Sequence, residues 1–247
     1  MNGSTNVVLV TGAAGDIGQS LCQGLSARGY LVVGWDIAPK PDSAPVVHWE
    51  QLDLTGDVSG AAVAALDNLG SLRYVFHVVG GSDVDELAQA DTTMVPMEVF
   101  QRTVALNLFS AYVVVRATIS LLRQSNEDRG YTFVSSLNAM GGYRAPGYSA
   151  AKAGLHGLTK ALAVPLGMEG VRVNTVAFGT TRTANYSRLA EMLGRTADFE
   201  HLGTRFPRGS VLTPIEAAVA LMSIGLDNPA LSGQVVAADA AQHLLRP

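Results

Sequence analysis

Short runs of β-branched and apolar residues recur along the chain, separated by longer stretches with helical spacing, and this rhythm restricts the fold more than any single motif. The runs occupy residues 7–10 (VVLV), 31–33 (LVV), 46–49 (VVHW), 74–79 (YVFHVV), 131–134 (YTFV), 171–176 (VRVNTV) and 234–237 (QVVA). Helix-like segments fall between them near 16–28, 57–68, 97–124, 147–167 and 213–226. Strands apolar at nearly every position, rather than at every second one, belong to parallel sheets covered on both faces. Parallel neighbours need crossover connections, and helices supply them. The expected class is α/β: a single-domain, doubly wound, Rossmann-type parallel β-sheet with helices on both faces, spanning residues 1–247.

Composition narrows the functional classes. Hydrophobic residues make up 48% and charged residues 15%, which suits extensive burial and excludes disorder. A net charge of −4 with no arginine or lysine run leaves no electrostatic footprint for nucleic acid or an anionic membrane. No stretch approaches the roughly 18 apolar residues of a membrane span, and the apolar run after the polar N-terminus is too short for a signal peptide. A cytoplasmic location is expected. Cys22 is the only cysteine, and His48, His77, His156, His201 and His243 show no ligand spacing, so no metal is expected. His77, at a buried strand end, is read as a residue that satisfies backbone groups, the alternative being that it faces the cofactor. The segment 180–210 carries no clear helix signal. It is expected to be a mobile substrate-binding cover over a pocket, the alternative being a surface excursion of two short helices.

Gly12, Gly15 and Gly18 follow the first strand and open a helix, where glycine lets backbone N–H groups approach a pyrophosphate at the helix N-terminus. Their spacing is not Gly-x-Gly-x-x-Gly, and Asp16 places a carboxylate in the turn. Asp16 is read as a helix-start residue that caps the N–H groups of the turn and points away from phosphate. Asp36 ends the second strand 18 residues after Gly18, near the distance expected of an acid that accepts from an adenosine ribose hydroxyl. Such an acid repels a 2′-phosphate, and no arginine or lysine stands at 15, 37 or 38, so NAD is expected rather than NADP. Downstream, Ser135 and Ser136 end a strand, and Tyr148 and Lys152 lie four apart on one helix face. A tyrosine with an ordinary pKa near 10 is a poor base at neutral pH, and a neighbouring ammonium favours its phenolate.

Taken in order, Thr11, Gly12, Gly18, Asp36, Asp53, Asn107, the Ser135–Ser136 strand end and Tyr148-x-x-x-Lys152 resemble the short-chain dehydrogenase/reductase family over essentially the whole chain. The resemblance implies a cofactor set of Gly12, Gly15, Asp16, Ile17 and Gly18 in the turn, Asp36 at the ribose, and Asp53 and Leu54 at the adenine. Val78 and Gly80 follow the fourth strand, Gly179, Thr181 and Thr183 stand on the nicotinamide side, and Tyr148 and Lys152 complete the set. It implies Tyr148 as general acid/base, Ser136 rather than Ser135 at the substrate oxygen, Lys152 on the tyrosine and the nicotinamide ribose, and Asn107 holding a relay water. The implied reaction is NAD-dependent interconversion of a secondary alcohol and a ketone. A homotetramer or homodimer is implied, built from the helices near 97–124 and 147–167 and the last strand. Asn138, Met140, Tyr143, Gly81, Ser82 and Tyr186 are expected to line a mainly apolar substrate pocket. The chain departs from the family at His77-Val78-Val79, where amides are usual, at Phe178 in place of proline, and at Ala240-Ala241 in place of glycines. These departures motivate an alternative reading as a non-catalytic nucleotide-binding scaffold or sensor. An NAD-using isomerase or dehydratase is the other alternative.

Overall fold

The apolar runs form strands β1 (Asn6–Thr11), β2 (Leu31–Asp36), β3 (His48–Gln51), β4 (Ser71–His77), β5 (Arg129–Ser136), β6 (Val171–Phe178) and β7 (Val235–Ala238) in a computed structural model that describes residues 6–141 and 144–244. All neighbours pair in parallel, in the order β3-β2-β1-β4-β5-β6-β7. The helices are α1 (Asp16–Ala27), α2 (Gly60–Asp67), α3 (Val84–Ala88), α4 (Met97–Val104), α5 (Ser110–Gln124), α6 (Pro146–Gly167), α7 (Ala184–Met192), α8 (Phe199–Gly203) and α9 (Pro214–Gly225). This is the doubly wound arrangement that the strand pattern predicts.

The run at 7–10 shows why such strands carry no polar alternation. Val7 and Leu9 point into a cluster with Leu66, Val114, Leu122 and Leu155, from α2, α5 and α6. Val8 and Val10 point the other way, into Leu21, Leu25, Leu221 and Met222 from α1 and α9. All four side chains have no solvent exposure, and burying each one contributes about 1.5–3 kcal/mol. Because every strand runs the same way, the C-terminal ends of β1, β4, β5 and β6 open on one edge. Winding reverses between β1 and β4, which creates a crevice there.

Several elements differ from the pattern-based expectation. The strand expected at 46–49 lies two residues later, because the Val46 N–H is engaged in a turn on Ala44 O (2.9 Å) and the ladder with β2 starts only at Val33 and His48. The run at 74–79 is divided: β4 ends at His77, and Val78 and Val79 leave the sheet towards the crevice. The segment 180–210 contains two short helices, α7 and α8. The helix expected at 97–124 is continuous over Met97–Gln124, but Ala105–Phe109 is wound as a π turn between α4 and α5. At 28 residues this helix is long and apolar enough to cross a membrane by length and composition alone, a property that the core helix of a globular fold shares. Here its buried side, including Ala111, Val114 and Leu122, takes part in covering the sheet.

Candidate active site

The turn after β1 owes its shape to two glycines. Gly12 has φ +70, and a Cβ there would stand 2.8 Å from Val79 N, so the turn packs directly on the exit of β4. A Cβ on Gly18 would stand 2.1 Å from Gly12 O, so only glycine lets α1 start this close beneath the turn. Gly15 is different. Its φ is −71 and its nearest neighbour would be 3.5 Å from a Cβ, so neither conformation nor space demands glycine. Gly15 is the N-cap of α1, Asp16 is the first helical residue, and no side chain caps the helix. The capping role read for Asp16 is therefore corrected: its Oδ2 accepts from Ala184 N (2.5 Å), at the first residue of α7. Ile17 and Val78 pack against the cluster on the α1 face.

Asp36 ends β2 beside this turn, with Oδ2 accepting from Ala14 N (2.9 Å) and Oδ1 from Ala38 N (2.9 Å). Two of its roughly four lone-pair positions remain. Past the end of β3, exposed Asp53 accepts from Thr55 N and Oγ1, both at 2.8 Å, while Leu54 is buried. The close backbone approach at Gly12 and Gly18 and the acid at the end of β2 fit a dinucleotide: the turn would hold its pyrophosphate and Asp36 its adenosine ribose.

His77 is fully buried and bonds side chains rather than the backbone groups expected of it. Ser110 donates its proton to Leu106 O (2.5 Å), so its oxygen receives His77 Nε2–H (3.1 Å), and Nδ1 accepts from the Thr11 hydroxyl (2.8 Å). Burial and the nearby Lys152 push the His77 pKa down to about 3, and the ring is neutral. It links the end of β1 to the helix that carries Asn107.

Asn107, buried in the π turn, clamps the chain after β4: Nδ2 donates to Gly81 O and to Thr103 O, and Oδ1 accepts from Gly81 N, all at 2.9 Å. Gly80 has φ +143, and a Cβ there would stand 2.5 Å from Asn107 Oδ1 and 2.6 Å from Lys152 Nζ. The two side chains therefore meet over this glycine.

On α6, Lys152 is 2% exposed and donates to Val134 O (2.8 Å). Burial pushes its pKa down to about 7. Its Nζ lies 5.7 Å from the centre of the Tyr148 ring. Burial raises the Tyr148 phenol above its ordinary value, and the Ser136 hydroxyl acts in the opposite direction. The Ser136 hydroxyl also has two long contacts, accepting from Asn138 N (3.2 Å) and donating to Asn138 Oδ1 (3.3 Å). Ser135 points to the other side of β5, donating to Lys152 O (3.0 Å) and meeting His156 Nε2 (2.8 Å). Strand alternation thus separates the two serines.

Across the crevice, Phe178 ends β6 paired with Ser136 and Ala238. A Cβ on Gly179 would stand 2.7 Å from Gln242 Oε1. Thr181 is buried and bonds Gly179 O (3.1 Å), and Thr183 caps α7 by accepting from Tyr186 N (3.2 Å). Met140 and Tyr186 are exposed, while Tyr143 lies outside the described residues. One group at this edge escaped the sequence reading: Glu86 on α3, whose buried carboxylate accepts from the Gly147 and Tyr148 N–H groups. No cluster of three or more His, Cys, Asp or Glu suited to a metal occurs among the described residues.

Comparison with known proteins places this geometry. A family model described as short chain dehydrogenase matches residues 6–194. An uncharacterized short-chain type dehydrogenase/reductase of Sinorhizobium fredii is 34% identical over 225 residues, covering 87% of this chain and 39% of its own length. An uncharacterized oxidoreductase of Schizosaccharomyces pombe is 33% identical over 176 residues, covering 70% of this chain and 66% of its own. The chain thus spans less than two thirds of either relative. The crystal structure of 3-hydroxyacyl-CoA dehydrogenase type-2 from Mycobacterium avium superposes with a TM-score of 0.84 at 28% identity, over 98% of this chain and 97% of that one. With a family model matching well over half its length and its sheet order and crevice in place, the chain belongs to the short-chain dehydrogenase/reductase family.

Proposed function

We propose that the chain is an NAD-dependent oxidoreductase that interconverts a secondary alcohol and a ketone, with Tyr148 as general acid/base. The observation that supports this reading is a linked set: Lys152 Nζ meets Asn107 over Gly80 and lies 5.7 Å from the Tyr148 ring, whose phenol is in turn influenced by the Ser136 hydroxyl, beside a turn into which Gly12 and Gly18 admit close backbone approach. A bound dinucleotide would supply the hydride acceptor or donor. The protein handles the proton. Burial favours the neutral form of both Tyr148 and Lys152 in the free protein, and a phenolate formed beside a Lys152 ammonium costs less than a buried phenolate alone. In oxidation, Tyr148 takes the hydroxyl proton, and in reduction it returns one to the ketone oxygen. Ser136, whose bonds to Asn138 are long, can donate to that oxygen as charge develops. Asn107 and Lys152 flank one point above Gly80, close enough for a water to connect them and renew the proton.

Preference for NAD rests on Asp36, since a 2′-phosphate would meet its carboxylate at the end of β2. Self-association into a homotetramer or homodimer is part of the proposal, supported by exposed Leu106, Phe109 and Tyr112 on the long helix and Val164 and Met168 at the end of α6. The test is incubation with NAD and a panel of acyclic, cyclic and hydroxyacyl secondary alcohols, with NADH absorbance followed. Tyr148→Phe should reduce turnover by about 10³-fold or more while NADH still binds. Substantial turnover by Tyr148→Phe would overturn the assignment, and silence of the wild type despite NADH binding would favour the scaffold reading.

A further inference from the structure

The helix that carries Tyr148 and Lys152 begins without a cap of its own. Ala145, its N-cap residue, is left-handed at φ +95 and has no side-chain acceptor, and the first helical residue is Pro146. The next two N–H groups, of Gly147 and Tyr148, have no partner inside the helix. Both are met from outside by Glu86, 61 residues earlier in the chain: Gly147 N–H donates to Oε1, and Tyr148 N–H donates to Oε2 at 3.3 Å. Glu86 is 1% exposed. Gly147 makes the approach possible, because a Cβ there would stand 2.8 Å from Glu86 Oε1 and 3.3 Å from Phe100 Cδ2. A second fastening follows three residues on, where Arg144 Nη2 donates to Gln89 O (3.0 Å) and Ala90 O (2.6 Å). The segment 86–90 is thus bound along the entry to α6.

The two functional side chains of α6 differ in what holds them. Lys152 lies a full turn inside the helix and is tied to β5 through Val134 O. Tyr148 is in the first turn, the one that frays when its N–H groups lack acceptors. We propose that Glu86 is a positioning residue for Tyr148: its carboxylate caps α6 from a distant element and so fixes the phenol relative to Ser136 and Lys152. The proposal rests on the reading of Tyr148 as acid/base. A carboxylate also opposes the positive end of the helix dipole, where negative charge is favoured. Burial raises the Glu86 carboxyl, and the two N–H bonds pull it back towards the ionised form.

The experiment compares wild type, Glu86→Ala and Glu86→Gln by amide hydrogen exchange over the start of α6, by NADH binding, and by kcat and KM on an alcohol from the panel above. Glutamine keeps one acceptor but presents an amide donor to the second N–H, so it should lie between the other two. Exchange at residues 147–149 should accelerate by about tenfold or more in Glu86→Ala and less in Glu86→Gln, with little change beyond Lys152. In the same order kcat should fall, by roughly 100-fold and roughly 10-fold, while KM and the NADH dissociation constant stay within about threefold. Unchanged exchange in both variants, or faster exchange with unchanged kcat, would overturn the role of Glu86. Equal losses of kcat and NADH binding would mark a general structural defect and overturn it too. A wild type that binds NADH but oxidises no alcohol on the panel would instead overturn the acid/base reading, whatever the exchange arm shows of Glu86.

Discussion

Replacing Lys152 with methionine should abolish a pH dependence of stability that burial of the lysine creates. Burial pushes the Lys152 pKa down from its ordinary value to about 7, whereas in the unfolded chain it returns to about 10.4. Between these limits the unfolded state holds a proton that the folded state has released. Stability therefore rises with pH across the window, and the contribution is lost as pH falls through the folded pKa. The slope is about 1.4 kcal/mol per pH unit, so the gain from pH 7.5 to 9.0 is about 2 kcal/mol. For a chain of this length that corresponds to about 4–8 °C in Tm. Cys22, whose buried thiol is pushed up to about 12, acts in the opposite direction as pH approaches 9, but equally in both proteins. His77 and His156 are depressed below 6.5 and leave this window untouched. The assay is thermal unfolding of wild type and Lys152→Met without cofactor, at pH 7.5, 8.25 and 9.0, at constant ionic strength and protein concentration. The wild-type Tm should rise by about 4–8 °C more than that of the variant. Parallel Tm curves would refute the reasoning, because they would mean that Lys152 keeps its charge in the folded protein.

Ala240 and Ala241 occupy left-handed backbone at φ +51 and +67; Ala240→Gly and Ala241→Gly should each stabilise the protein by about 0.5–1 kcal/mol, read as a higher Tm, since relief of the Cβ clash exceeds the entropy cost of glycine. Ser135→Ala and Ser136→Ala should separate stability from turnover. The first loses bonds to Lys152 O and His156 and costs about 1–2 kcal/mol in denaturant unfolding with kcat retained, while the second leaves stability within about 0.5 kcal/mol and lowers kcat by about 10²–10³-fold.

Much of the crevice could be read from residue spacing, because the spacing follows local periodicities. The short, β-branched, fully apolar run at 7–10, followed at once by glycines, reads as a strand covered on both faces, Tyr148 and Lys152 share a face because they are one turn apart, and Gly12 and Gly18 mark a turn that no side chain can enter. What escaped depends on partners far along the chain. Asp16 reads as a helix-start cap, yet it is one position past the N-cap Gly15 and its acceptor is claimed by Ala184, 168 residues away. Glu86 stands in the acidic stretch SDVDELAQAD, where its neighbours Asp83 and Asp85 are paired with Arg102, and nothing in the stretch distinguishes the buried acid from the others. His77 was expected at a buried strand end, but its partners Thr11 and Ser110 lie on two other elements. Edge strand β3 has no apolar alternation of its own, so only its ladder with β2 defines its ends.

The π turn in the long helix has a consequence for phase. Val99, Thr103, Asn107, Ala111 and Val115 are all buried and recur every four residues. In a uniform α-helix such a row drifts by about 40° per step around the axis, hence by about 160° from first to last, and its two ends would face nearly opposite directions. One extra residue taken up in a single wide turn returns about 100° of that drift. Ala105–Phe109 therefore acts as a vernier between α4 and α5: it keeps a four-residue row aimed at the protein interior, and it does so at the turn that carries Asn107.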